Sequence, residues 1–77
     1  MKFELGRCLL QERLVEYGIT VEDLMKALQY KRERIFDYIE NKRMMPLAVA
    51  ISVADTVGCT VNELYELTAI DMTGRKT

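Results

Sequence analysis

Gly18, Asn41 and Gly58 are residue types that tolerate the left-handed backbone, and each closes a helix-like stretch at a short, even interval, as helix-terminating residues do. Two of these stops run directly into a start. Thr20 and Thr60 stand at N-cap positions with an acid three residues on; Thr60-Val61-Asn62-Glu63 is a capping box, and Thr20 to Asp23 approximates one. Pro46 suits a first helical turn. Punctuation this dense cuts the 77 residues into five short helices, with no repeat, linker or low-complexity run to separate a second domain.

Apolar spacing gives each helix a face. The first is expected from about Leu5 to Tyr17, with Phe3, Leu10, Leu14 and Tyr17 on one arc and Leu5 and Leu9 away from it, toward a second contact. The second, Val21 to Leu28, repeats Val21, Leu24, Met25 and Leu28 at i, i+3, i+4 and i+7. The third, about Arg32 to Glu40, turns Ile35, Phe36 and Ile39 inward. The fourth, Leu47 to Val57, is apolar almost all round and is the expected central helix; a fifth covers Val61 to Leu67. Met1, Phe3 and Leu5 alternate with polar residues, as do Ile70 and Met72. That strand-like spacing suits pairing with each other or with a second chain, and equally a frayed end. The expected architecture is an all-α, five-helix domain over residues 1–68 with strand-like N- and C-terminal ends, followed by a tail, 69–77, that is partly disordered or dimer-forming.

Composition narrows the chemistry. The chain has no histidine, which removes the usual general base, the Ser-His and Cys-His nucleophile pairs and every His-ligated metal site. Its two thiols, Cys8 and Cys59, are half a structural zinc set and lie among apolar neighbours, as small buried hydrophobes of a reducing compartment do, with a disulfide as the alternative. The apolar stretch Met44 to Ile51 is too short to span a bilayer, and Glu4 and Arg7 interrupt any signal-peptide core. A cytoplasmic protein with no cofactor, no metal, no membrane association and no small-molecule ligand is expected. The net charge is −1, but its distribution is uneven: residues 26–43 carry +3 between flanks of −2 each. A basic middle is the footprint of a face that meets phosphate, although an ordinary solvated helix also carries such charge.

Two short helices joined by Gln29-Tyr30-Lys31, the second with a polar outer face, make a helix-turn-helix. Here the sequence resembles the Cro and lambda-repressor (XRE) helix-turn-helix family. The resemblance rests on Gly18-Ile19-Thr20-Val21-Glu22-Asp23-Leu24, on Ala27-Leu28, on Tyr38-Ile39-Glu40-Asn41-Lys42-Arg43, and on Ile51 to Leu67 with Ala54-Asp55, Val57-Gly58-Cys59-Thr60 and Asn62-Glu63-Leu64. It covers about residues 5–67. It implies a lambda-repressor-like fold whose third helix enters the DNA major groove while the second braces across the backbone. The implied protein is a sequence-specific regulator of transcription, a small bacterial or phage repressor, and not an enzyme. Departures from the family pattern are Gln29 where many members carry Gly, Val21 where Gln is frequent, and Lys31 where Ser often caps the third helix.

Projection of the third helix puts Glu33, Arg34, Asp37, Tyr38 and Asn41 opposite its apolar side. Arg34 can donate twice to a guanine edge, Glu33 or Asp37 can accept from a cytosine amino group, and Tyr38 can touch a thymine methyl; equally, Arg34 and Asp37 could form a surface ion pair, and Tyr38 could cover the helix seam. Glu33, Arg34, Asp37 and Tyr38 are thus the expected base-reading set. Lys31, Arg32, Lys42 and Arg43 flank the helix and, with Asn41 and the start of the second helix at Thr20 and Val21, are the expected phosphate contacts. The expected partners are double-stranded DNA and a second copy of the chain, because one helix with a few cations makes too few contacts for tight specific binding. The alternative is a protein-interaction module of the same fold, antitoxin- or antirepressor-like.

Overall fold

The computed structural model describes residues 2–70. The elements run β1 (Lys2–Cys8), α1 (Leu10–Tyr17), α2 (Val21–Leu28), α3 (Arg32–Ile39), α4 (Leu47–Val57), a single 3₁₀ turn (Val61–Glu63) and β2 (Tyr65–Ile70). The chain is mostly helical, and its two ends pair antiparallel as one ribbon.

Four of the five expected helices are present, and the first and last expectations need correction. Residues 2–8 are strand, so α1 begins at Leu10 rather than Leu5. No Ser, Thr, Asp or Asn stands where a helix from Leu5 would need its cap, and Phe3 and Leu5 alternate with polar residues. The fifth helix is only the turn Val61–Glu63, after which Tyr65 and Leu67 alternate with Glu66 and Thr68 in β2. Of the alternatives open for the ends, pairing with each other is what the fold adopts. Strand β2 crosses the boundary expected at 68, and the rest of the expected tail, with Met1, lies outside the described residues.

The register pairs Phe3 with Ala69 and Leu5 with Leu67, then shifts between Leu5 and Cys8 before Cys8 meets Tyr65. Gly6 stands within that irregularity. A Cβ there would lie 2.8 Å from the Glu66 Cβ, so only glycine lets the strands approach this closely.

The stops and starts read from the sequence are where the backbone turns. Gly18 and Gly58 adopt positive φ, as do Asn41 (φ 62°) and Gln29 (φ 57°), the last without a glycine's freedom. Thr20 and Asp23 exchange hydrogen bonds as a full capping box, Asp23 N–H donating to Thr20 Oγ1 at 3.1 Å and Thr20 N–H to Asp23 Oδ2 at 2.9 Å. The Thr60 N–H donates to Glu63 Oε2 at 2.7 Å. These bonds hold the Asp23 and Glu63 carboxyls below the usual carboxylate range.

Leu10, Leu24, Ile35, Tyr38, Val53 and Leu64 are fully buried, one or two from each helix and the last just after the 3₁₀ turn. Helix α4 supplies Val49, Ala50, Val53, Ala54 and Val57 and is the central helix as expected. Two of the four residues placed on the core arc of α1 are not in the core: Phe3 belongs to the ribbon and is exposed, and Tyr17 is exposed too. Cys8 is buried and Cys59 half-buried, both as free thiols; burial raises both thiol pKa values, which keeps them protonated and unreactive at neutral pH.

Candidate nucleic-acid interface

The turn Gln29 to Lys31 sets α3 against α2, and α3 starts with Lys31 at its N-cap in extended conformation, without a side-chain cap. Its inward arc is Ile35, Tyr38 and Ile39, with Ile35 and Tyr38 buried and Ile39 packed against the core. The arc is therefore rotated from the expected one. Phe36 is only half-buried, with the Arg32 guanidinium 5.8 Å above its ring. Tyr38, expected to read bases, is 1% exposed. That expectation is corrected: a residue so deeply packed cannot touch a thymine methyl. Its ring buries as a large hydrophobe while its hydroxyl remains satisfied, accepting from Arg34 Nε at 3.0 Å.

Arg34 is thereby fixed. Its guanidinium lies 4.2 Å from the Tyr30 ring centroid, and the hydrogen bond to Tyr38 raises its pKa further. One nitrogen is engaged and one face of the plane is covered, while the two terminal nitrogens have no partner among the described residues. The sequence reading did not single out Tyr30, whose ring covers Arg34. The signal was available: Tyr30, Arg34 and Tyr38 are spaced by four, the separation at which side chains near a helix stack.

The other expected residues divide by their partners. Glu33 is exposed and Asp37 half-buried, and Glu40 lies between them and Lys42, whose Nζ is 3.2 Å from it. Arg32 is paired with Glu22 of α2. Lys31 and Arg43 are exposed and have no acidic partner among the described residues. Exposed pairs such as Arg32 with Glu22 are weak and exchange readily for a phosphate. At the start of α2, the Thr20 N–H is taken by Asp23, and Val21 is half-buried against the core; Glu22 and Asp23 place negative charge where an anion would arrive. Asn41 has a second duty, since its Oδ1 accepts the Cys8 N–H at 2.8 Å and so ties the end of α3 to β1. No group of three acidic or thiol side chains able to hold a metal occurs among the described residues, and no described helix is long and apolar enough to cross a membrane.

A helix pair with a short turn, a polar outer side on its second member and cations at both ends of that member defines a helix-turn-helix protein of the DNA-binding kind. Comparison with known proteins agrees. The chain is 37% identical over 57 residues, 73% of its length and 71% of the relative's, to the SPbeta prophage-derived uncharacterized HTH-type transcriptional regulator YotL of Bacillus subtilis (strain 168). It is 30% identical over 67 residues, 86% of its length and 90% of the relative's, to the SPbeta prophage-derived uncharacterized HTH-type transcriptional regulator YopS of the same organism. No family model matches the chain, and no solved structure matches it. The chain belongs to the helix-turn-helix transcriptional regulators of the Cro/C1 (XRE) kind, which makes it a DNA-binding regulator rather than an enzyme.

Proposed function

We propose that the protein is a small, phage-derived transcriptional repressor that acts in the cytoplasm, binds double-stranded DNA as a homodimer and reads one half-site per copy with α3 in the major groove. The observation that carries this reading is the state of Arg34. With Nε held by Tyr38 and the plane stacked on Tyr30, its terminal nitrogens form a preset fork, the geometry a guanine O6 and N7 pair accepts. Holding the side chain in place before binding lowers the entropy lost on contact. Glu33 and Asp37 beside it select cytosine by accepting from its amino group. Lys31 and Arg43, and Arg32 and Lys42 once they exchange their acids for phosphate, grip the strands on either side. Asn41 keeps its amide NH₂ for a phosphate oxygen, and Val21 its backbone amide, while Thr20 serves mainly as a cap.

The second reading, a protein-interaction module, draws support from the acids Glu33, Asp37 and Glu40 on the outer side of α3, each of which opposes a phosphate unless paired. Selection from random duplexes at ~50 mM salt separates the two, because phosphate-driven binding weakens steeply by ~200 mM. Recovery of a consensus containing guanine supports the repressor. Absence of binding to any duplex at the lower salt rejects it in favour of the interaction module.

A further inference from the structure

Cross-strand partners share one face of a two-stranded ribbon. Phe3 with Ala69 and Leu5 with Leu67 lie on one side; Lys2 with Ile70 and Glu4 with Thr68 lie on the other. One face is therefore apolar and the other largely polar, yet both strands are exposed along most of their length. The apolar face continues onto the body. A groove of about 210 Å³ is lined by Leu5, Leu67 and Tyr65 of the ribbon together with Met45, Leu47 and Val61. Ile51, one turn beyond Leu47 on α4, extends the same stripe.

We infer that this face is where a second copy of the chain docks, the two packing about a two-fold axis so that the apolar side of each ribbon covers Leu47 and Ile51 of the other. The inference names the interface of the dimer proposed above and rests on that reading only for its use on DNA. Three observations select a second copy. Phe3, Leu5, Leu47, Ile51 and Leu67 are 56%, 51%, 71%, 51% and 41% exposed. At roughly 200 Å² for a whole large apolar residue they present on the order of 500 Å², which matches the apolar share of about 800 Å² per partner in a standard interface. The face is self-complementary, carrying the protruding Leu47 and a groove side by side, as a two-fold contact requires. A lone two-stranded ribbon is marginal in water, and covering its apolar side stabilises the element that joins the chain ends.

Sedimentation equilibrium without DNA tests the interface independently of any reading role for α3. The parent chain is expected to be dimeric at tens of micromolar. Leu47→Glu and Ile51→Glu should each weaken self-association by 100-fold or more, and Val15→Glu, on an equally exposed apolar residue of α1, should leave it unchanged. Leu47 is the first residue of α4, where a negative charge suits the helix, so circular dichroism should show that variant folded. Dilution of the unaltered chain gives a second measurement: methyl resonances of Leu5, Leu47, Ile51 and Leu67 should shift with concentration, and those of Val15 and Val21 should not. A parent monomeric at several hundred micromolar, a dimer indifferent to both glutamates, or concentration-dependent shifts confined to other residues would overturn the inference. Loss of DNA recognition with an intact dimer would instead count against the proposed function alone.

Discussion

Helix α3 and the ribbon formed by β1 and β2 both present large surfaces to solvent, and they do so with opposite chemistry. No large exposed apolar side chain belongs to α3, whereas Phe3, Leu5 and Leu67 all belong to the ribbon. The cations of α3, Arg32 and Arg34, are held by Glu22 or by aromatic rings, and Lys42 beyond its end by Glu40, interactions weak enough to be traded for phosphates and bases. The ribbon has only alternation and apolar area. A charged, pre-positioned surface suits a charged target whose sequence must be discriminated; an apolar one suits a partner of matching shape. On the proposed reading, the contrast divides recognition and assembly between two regions of one fold.

The sharpest way to break this comparison is through the inward side of α3. Tyr38→Ala should cost about 3 to 5 kcal/mol, enough to unfold much of so small a domain, and Phe36→Ala no more than about half as much because part of its ring already meets water. Thermal melts of the two variants check the order. Equal losses would mean that the inward arc is not the one described.

A smaller effect is expected where α3 is proposed to meet DNA. Arg34→Ala should cost about 1 to 3 kcal/mol on the selected site and relax preference at one base pair, with little change on a scrambled duplex. Arg43→Ala should weaken binding to both duplexes alike and lower the salt slope by about one unit. Titrations at several salt concentrations compare them, and indistinguishable behaviour would reduce Arg34 to a phosphate contact.

The joint between the two regions is Asn41. Asn41→Ala loses the bond to the Cys8 N–H and places alanine at positive φ, for an expected loss of about 1 to 2 kcal/mol. Asn41→Gly keeps the backbone conformation and should recover part of it. Urea melts of both variants separate the side-chain bond from the backbone preference.

The smallest effect is a pH dependence shared by the two capping boxes. Asp23 and Glu63 titrate below the usual carboxylate range because they accept from the backbone and side chains of Thr20 and Thr60. A carboxyl depressed in the folded state contributes stability above its unfolded pKa and loses it as pH falls through the folded one. Stability should therefore decline as the solution is acidified below the ordinary carboxylate range, and Asp23→Asn with Glu63→Gln should flatten that decline. An unchanged slope in denaturant melts would remove the caps from the account.

What the sequence made legible was local. The caps at Thr20 and Thr60, the stops at Gly18, Asn41 and Gly58, and the apolar spacing of the second and fourth helices act within a few residues and are found where expected. Tyr38 is buried with its hydroxyl accepting from Arg34, a contact that apolar spacing does not register, and phenylalanine two residues earlier is the more apolar residue. The ribbon was half-seen: alternation at Phe3, Leu5 and Ile70 was visible, but pairing across more than sixty residues is a tertiary event that no window of the chain contains. Leu5 and Val61 to Leu67 satisfy a helical period as well as an alternating one over so few residues, and the partner strand decides between them.

The hydrogen bond from the Cys8 N–H to Asn41 has one more consequence. Asn41 stands two residues beyond the end of α3, so a ribbon packed on Leu47 and Ile51 of a second copy would be tied to the helix proposed to read the groove by a 2.8 Å contact rather than by slack chain. Two copies joined this way form a caliper with one opening. Inserting a base pair between half-sites advances one of them by about 3.4 Å and turns it by about 35° around the duplex, a displacement that such a caliper cannot follow without parting the clasp. Operator spacing, and not only operator sequence, then becomes a quantity the protein measures.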